Sequence, residues 1–516
     1  MRHRRAPRSW RFVALLCVVL PFCGAYAAAP GFGTARAGAV WGAALEFIAP
    51  RTLEPLGIPR MAVWGLSGIT ALDPDLTVQE QSGKLLLYGP NRIIFATAAP
   101  QPTDAMAWGD ACAAVAARAF AVSPALERAG TEGVIRSFFD ELFNHFDPYS
   151  RYEAPREAAQ DRAMRLGHAG LGITLGREGS AVVVARVAPS SPADEAGIAT
   201  GMVVLAIDGA ATAGRHLAAL QSRLRGPAGS SIALTVRPAR SLPQTVRLTS
   251  GLVPTQTVFG SMNENIAMLR VIGFDRDTGE QFAAALGALM AGNPAPKGIV
   301  IDLRGNRGGL LRQSALSVDT LLGQGTIIRT VGRDPAADRL WRAEGGDLAR
   351  GLPVVILVDG ATASAAEVFS ASLSDNDRAV VVGSATLGKG LVQSVTSLPG
   401  GGELFVTWSR MIAPRGWPLQ GLGVFPELCT SLGTNSLAAQ IASLKAGRDM
   451  LAKPLAETRA ARAPMPLAEV LALRDSCPAS VGSSGYFKAA KALIDDPVAY
   501  RAALIHPLIG AAARGA

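Results

Sequence analysis

The sequence predicts a multidomain α/β protein, and three observations carry the prediction. Its 516 residues are too many for one hydrophobic core. Hydrophobic content of 49% with 18% charged residues is that of a globular chain rather than a disordered one. From about 255 to 430, short apolar runs alternate with stretches of helical period, as in a partly parallel sheet with packed helices.

Taken in order, residues 1–29 read as a segment outside the fold. MRHRRAPRSWR is basic, FVALLCVVLPFCG is apolar, and AYAAA supplies small residues at A-x-A spacing. This is the n-region, h-region and cleavage site of a secretory signal, cut near Ala27 to Ala29. The expectation is a periplasmic or secreted protein with no stable membrane span after cleavage. The formal net charge is +9, and residues 1–29 hold five Arg and no acid, so the remainder carries +4. Most of the basic balance therefore belongs to targeting, and no nucleic-acid partner is expected.

Residues 30–103 read as a helical unit with a hairpin and 104–165 as a second helical unit, and the stretches near 38–80 and 104–155 look related. Each has an Ala-rich amphipathic stretch, a break, a second helix and an Asp-Pro stop, at Asp73 and Asp147. Between them KLLLYGPNRIIFAT alternates around Gly-Pro-Asn like a hairpin. Residues 166–253 form a compact β-module from GLGITLG, AVVVARV, MVVLAIDG, SIALTVRP and QTVRLTSG, with one helix in RHLAALQSRLRG. The α/β block spans 254–433, and 434–516 is Ala-rich helix broken at Pro454, Pro464, Pro466 and Pro478.

Cys17 and Cys23 leave with the signal, while Cys112, Cys429 and Cys477 remain. A Cys429–Cys477 disulfide with Cys112 buried in a helix, and three free buried thiols, are both compatible with that count. No Cys/His spacing resembles a metal site, so neither metal nor cofactor is expected.

The candidate chemistry sits in PVVILVDGATASAAEVFSAS, Pro353 to Ser372. Val354 to Val358 read as a buried strand, a helix begins near Ser364, and the corner between them is almost bare of side chains. Such a corner exposes a nucleophile rigidly, lets a substrate backbone approach, and leaves helix-start N–H groups free for an oxyanion. The alternative is that Thr362 or Ser364 merely caps the helix. A serine nucleophile needs a base. The five His lie outside the 255–430 block. Lysine is the scarce cation, seven against 43 Arg, and Lys389 in TLGKGLVQS is the only one between Gly298 and Gln440. A desolvated lysine can lose its proton near neutral pH, and arginine cannot.

The separation of 25 residues from Ser364 to Lys389, with Gln393 four further on, resembles the carboxy-terminal processing peptidases, or tail-specific proteases. FDPYSRYEAP, GLGITL, SPADEAGIATGMVVLAIDG, IDLRGNRGGLL and MIAPRGWPLQGLGVFPE are similar to that family's motifs in order over roughly 104–430. The resemblance implies a PDZ domain at 166–253 embedded in a Ser-Lys peptidase whose core is 254–433. It implies Ser364 as nucleophile, Lys389 as base, and Gln393, one turn on if helical, orienting the lysine. Ala365 with Gly308 or Gly309 would form the oxyanion hole. Gly170, Leu171, Gly172 and Ile173 would cradle a substrate's C-terminal carboxylate. The implied partners are proteins or peptides with apolar C-termini, with a homo-oligomer or an adaptor left open. Two residues depart from the family pattern: Met202 stands for an expected Asp, and Glu427 for another. A catalytically silent PDZ-containing scaffold of the cell envelope is the competing reading, and the intact Ser364, Lys389 and Gln393 argue against it.

Overall fold

The computed structural model of the protein describes residues 31–504, so the signal expected at 1–29 lies outside the described residues. Four helices, Thr34–Ile48, Ile58–Leu72, Ala105–Phe120 and Pro124–Phe143, open the fold. The first packs on the third and the second on the fourth, so each helix of 30–103 packs on one of 104–165. Both crossings run through glycine. A Cβ on Gly109 would meet the Gly42 nitrogen at 2.4 Å, and one on Gly68 would meet the Ser137 carbonyl at 2.5 Å. The units share one core, with Trp41, Trp108, Phe138 and Phe139 fully buried, as is Cys112. The hairpin strands Lys84–Tyr88 and Ile93–Ala98 gain a third antiparallel partner, Thr77–Gln81.

The β-module has its own core around Leu171, Val184, Leu220 and Leu234. Its sheet runs in the order Gln244–Thr249, Ser231–Arg237, Val203–Ile207, Ala181–Val187, Ile173–Glu178, which leaves Ile173–Glu178 as a free edge. Entry strand His168–Gly170 pairs antiparallel with exit strand Gly251–Val253, forming a neck to the rest of the chain.

The larger sheet runs Val258–Asn263, Ile266–Val271, Gly298–Asp302, Val354–Val358, Val380–Gly383, Leu428–Cys429, parallel from its second strand onward. Both faces are covered, as buried parallel strands require. Val354, Ile356 and Val358 face a core with Phe282, Val318 and Phe369. Val355 and Leu357 face Leu437, Tyr486 and Leu493 of the C-terminal helices. The alternation over 255–430 predicts one sheet that would include TIIRTVG, from Thr326, and LFVTWSRMIAP, from Leu404. They lie instead in a second, antiparallel sheet, ordered Arg339–Ala343, Gly325–Gly332, Glu403–Ile412, Leu391–Ser397, with Arg151–Glu153 added on Glu403–Ile412. Short loops join Gly325–Gly332 to Arg339–Ala343 and Leu391–Ser397 to Glu403–Ile412, too short for a parallel crossover, which needs a dozen residues or more, and the two hairpins then pair through Gly325–Gly332 and Glu403–Ile412.

Of the two thiol readings, the disulfide holds: Cys429 and Cys477 are bonded, with Cα atoms 5.7 Å apart. The bridge ties the last strand of the parallel sheet to the C-terminal helices. No helix of the described residues is long and apolar enough to cross a membrane.

Candidate active site

Strand Val354–Val358 is buried throughout and delivers the chain to the bare corner. Asp359 organises it: its Oδ1 accepts the N–H groups of Gly305 at 2.9 Å and of Ala361 and Thr362 at 3.0 Å. Thr362 Oγ1 donates to the Leu303 carbonyl at 3.0 Å, and the Ala363 N–H donates to the Asn306 carbonyl at 2.9 Å. The corner is thus sewn to the 303–309 loop. Arg304 stiffens that loop through two bonds to Asp302, at 2.8 and 2.7 Å.

Ser364 takes φ 58° and ψ −120° at the start of helix Ala365–Asp375. A non-glycine residue there is strained by about 1–3 kcal/mol. Capping does not call for this backbone, since capping residues are ordinarily extended. Ser364 is nonetheless the capping residue by position, in a capping box with Glu367. The helix start leaves the Ala365 N–H without an acceptor among the described residues.

Bareness of the corner has a direct steric reason. Gly308 lies against it so closely that a Cβ would stand 2.8 Å from the Ala363 carbonyl oxygen, the Ala365 nitrogen and the Ser364 Cβ. Gly308 also has φ 93°, and Gly309 has φ 138°. Their N–H groups differ. That of Gly308 donates to Asn306 Oδ1 at 2.8 Å, whereas that of Gly309 has no acceptor among the described residues.

Glu367, which the sequence reading did not single out, joins the two candidate loops. Its fully buried carboxylate accepts the N–H of Ser364 at 2.7 Å and of Lys389 at 2.9 Å on Oε2, and the N–H of Gly388 at 2.6 Å and the Thr386 hydroxyl on Oε1. Burial pushes its pKa up, and the four donors oppose that. The Ser-x-x-Glu spacing of a capping box was the available signal.

Lys389 lies half-buried in the loop before strand Leu391–Ser397, with Nζ 4.9 Å from the centre of the Tyr149 ring. Burial pulls its pKa below the ordinary lysine value, Arg151 adds to the effect, and Asp147 and Glu367 oppose it. The loop is held from both sides. Gln420 Oε1 accepts the Gly390 N–H at 2.9 Å, and Arg474 of helix Leu467–Asp475 donates to the Thr386 carbonyl at 2.8 Å and the Leu422 carbonyl at 3.1 Å. Arg474 precedes the bonded Cys477 by three residues, so the C-terminal helices and their disulfide are part of this loop's support.

Gln393 is on a strand, not a helix, so it is not one turn from Lys389. The β-branched Val392, Val395 and Thr396 of LVQSVTS favour the strand. Its amide donates to Thr407 Oγ1 at 3.1 Å, and Thr407 Oγ1 donates to Asp147 Oδ1 at 2.8 Å. Asp147 also accepts the N–H groups of Tyr149 and Ser150, so the Asp-Pro-Tyr-Ser turn that aims Tyr149 at Lys389 is fixed by the same carboxylate. Among the His of the described residues, His145 stacks on Trp64 at 4.1 Å, His168 is in the neck, and His216 precedes the β-module's helix.

Gly170 to Ile173 lie apart from this cluster, at one end of a groove of about 880 Å³ between the β-module and the 253–258 segment. Gly172 has φ 80°, and a Cβ there would lie 2.2 Å from Ser191 Cβ. The N–H groups of Leu171 and Gly172 have no acceptor among the described residues, which suits them to an anion. The two departures are absorbed structurally. Met202 packs against the β-module core, and Glu427 accepts bonds from Ser374 at 2.6 Å, the Val381 N–H at 2.6 Å and Arg459 at 2.8 Å.

Residues 265–429 match the profile of peptidase family S41, and residues 183–238 that of a PDZ domain. A carboxy-terminal-processing protease of Bartonella bacilliformis is 31% identical over 299 residues, covering 57% of this chain and 69% of the relative. A carboxyl-terminal-processing protease of Picosynechococcus is 33% identical over 289 residues, covering 54% and 69%. A solved structure titled photosystem II D1 C-terminal processing protease aligns over 71% of this chain and 92% of its own, at 25% identity and a TM-score of 0.35.

Proposed function

The chain belongs to peptidase family S41, as a PDZ-containing serine peptidase of the carboxy-terminal processing class, and we propose that it is exported and cleaves proteins near apolar C-termini with a Ser364/Lys389 dyad. One observation carries the dyad. Ser364 sits in a strained backbone on a corner tied through a single buried carboxylate oxygen to the loop of the scarce lysine.

In the proposed reaction, Ser364 Oγ attacks the scissile carbonyl carbon as its proton passes to neutral Lys389 Nζ. The N–H groups of Ala365 and Gly309 hold the oxyanion. Gly308, the other candidate, supplies close approach, since its own N–H is taken by Asn306. Collapse breaks the C–N bond, and Lys389 returns the proton to the leaving amine. Water then attacks the acyl carbon as its proton passes to Lys389, the bond to Ser364 Oγ breaks, and Lys389 returns that proton to Oγ. Gln393 acts through Thr407 and Asp147 on the Tyr149 turn that shields the lysine. Export of residues 30–516 after cleavage near Ala27 to Ala29 would place this chemistry in the periplasm or outside the cell. Gly170 to Ile173 would take the tail carboxylate, with the tail added as a strand along Ile173–Glu178.

The test compares one unfolded substrate in two forms, with an apolar C-terminus as the free carboxylate or as the amide. The free form is expected to be cleaved about tenfold faster or more at low substrate concentration. Equal rates would remove tail capture, and cleavage of neither form by the purified mature chain would remove the peptidase reading.

Gly308→Ala tests the corner. The added methyl meets backbone at 2.8 Å and a φ of 93°. Neither side can move without moving the Ala365 N–H, so kcat/KM is expected to fall about 100-fold or more, the scale of losing one oxyanion donor. Thermal melting checks that the chain still folds. Wild-type kinetics in Gly308→Ala would contradict this placement.

A further inference from the structure

The free edge of the PDZ sheet is already occupied. Strand Ile173–Glu178 pairs with Ala181–Val187 on one side only. On the other side, Gln221 Nε2 donates to the Ile173 carbonyl at 2.7 Å, and Gln221 Oε1 accepts the Leu175 N–H at 2.9 Å. These two groups, two residues apart, face the same way. They are a donor-seeking and an acceptor-seeking pair that an added strand would satisfy with its own backbone. A primary amide carries one carbonyl acceptor and two N–H donors, so the Gln221 side chain supplies here the acceptor and the donor that an added strand would supply from its backbone.

We infer that Gln221 is a built-in occupant of the tail-binding edge, which a captured C-terminus must displace before it can pair with Ile173 and Leu175. The inference rests on the tail-capture reading above. The helix bearing Gln221, Leu217–Arg223, cannot simply swing away, because Leu220 is fully buried in the module core and Leu224, just beyond it, nearly so. Displacement is therefore a side-chain rotation into the open groove, which Gln221 itself lines. The Leu171 and Gly172 N–H groups stay unoccupied meanwhile, so the carboxylate can dock first while the edge is still covered. A ligand lacking a free carboxylate, or unable to make both edge bonds, has nothing to replace what Gln221 already provides. The residue thus raises the threshold for tail capture and favours true C-termini over internal extended segments.

The experiment uses the full mature chain carrying Ser364→Ala, so that peptides bind without being cut. Gln221→Leu and Gln221→Ala are added to it separately. The probe is a fluorescent decapeptide with three apolar C-terminal residues, as the free acid and as the amide. Removing the competing amide is expected to tighten free-acid binding about tenfold, because the tail no longer exchanges two hydrogen bonds for two. Amide hydrogen exchange across 173–178 should be faster in both variants without peptide, and equal to the parent's when peptide saturates. Free-acid binding by the parent with no tightening in either variant, or unchanged exchange at Leu175, overturns the inference alone. If the parent and both variants fail to prefer the free acid, the tail-capture reading falls and takes the inference with it.

Discussion

Ser364→Ala is expected to lower kcat/KM by about 10⁴-fold or more while the chain still folds. Loss of the nucleophile in serine peptidases is of that order, because the remaining groups stabilise a transition state that can no longer form. The backbone supplies a second measurement on the same residue. Ser364 holds φ 58° in a region that glycine enters without strain. Ser364→Gly should therefore be equally inactive and more stable, by about 1 kcal/mol in denaturant unfolding. A capping serine behaves in the opposite way: its loss costs about 1 kcal/mol when replaced by Ala and a few tenths when replaced by Gly, and leaves activity largely intact. Peptide-bond cleavage by purified Ser364→Ala at more than a few per cent of the wild-type rate would falsify the assignment.

Lys389→Arg is expected to be as inactive as Lys389→Ala. Arginine keeps the charge over the Tyr149 ring but cannot serve as a base, since its pKa stays above about 12. The lysine must be neutral to act. Its pKa is lowered, mainly by burial, from the ordinary 10.5. Below that lowered value the neutral fraction grows tenfold per pH unit, so kcat/KM should rise with pH and level off above it. Arg151 contributes to the lowering, so Arg151→Ala should move the rise to higher pH. Glu367 and Asp147 oppose it, and removing either charge should move the rise to lower pH. The measurement is single-turnover cleavage of a tailed substrate across a pH series. Cleavage by Lys389→Arg with the wild-type pH profile would leave Ser364 without a base.

Much of this protein was legible in one dimension because the signals are local. Buried strands read as continuous apolar runs, Asp-Pro stops mark helix ends, and the bare corner after Val358 announces close approach of another backbone. Lys389 stood out because the chain uses arginine nearly everywhere else. The misreadings involve partners distant in sequence. Whether Leu391–Ser397 is helix or strand depends on Glu403–Ile412 pairing with it, and four residues on a strand do not make a turn of helix. Two candidate glycines could not be ranked until Asn306 took the N–H of one of them.

Neighbouring positions alone were enough for the α/β class, the embedded PDZ domain and the residues offered for chemistry, since periodicity, turn residues and motif spacing are properties of short stretches of chain. How those residues are held emerged from the packed molecule. Glu367 bridges Ser364 and Lys389, Asp147 aims Tyr149, Arg474 and the Cys429–Cys477 bridge support the lysine loop, and Gln221 covers the PDZ edge. Apart from the bridge, each is a polar side chain whose role is set by the partner that satisfies it. Glu367 keeps a capping-box spacing from Ser364, but its other partners at 386–389, like those of Arg474 and Gln221, are found in space, with no regular offset along the chain to reveal them.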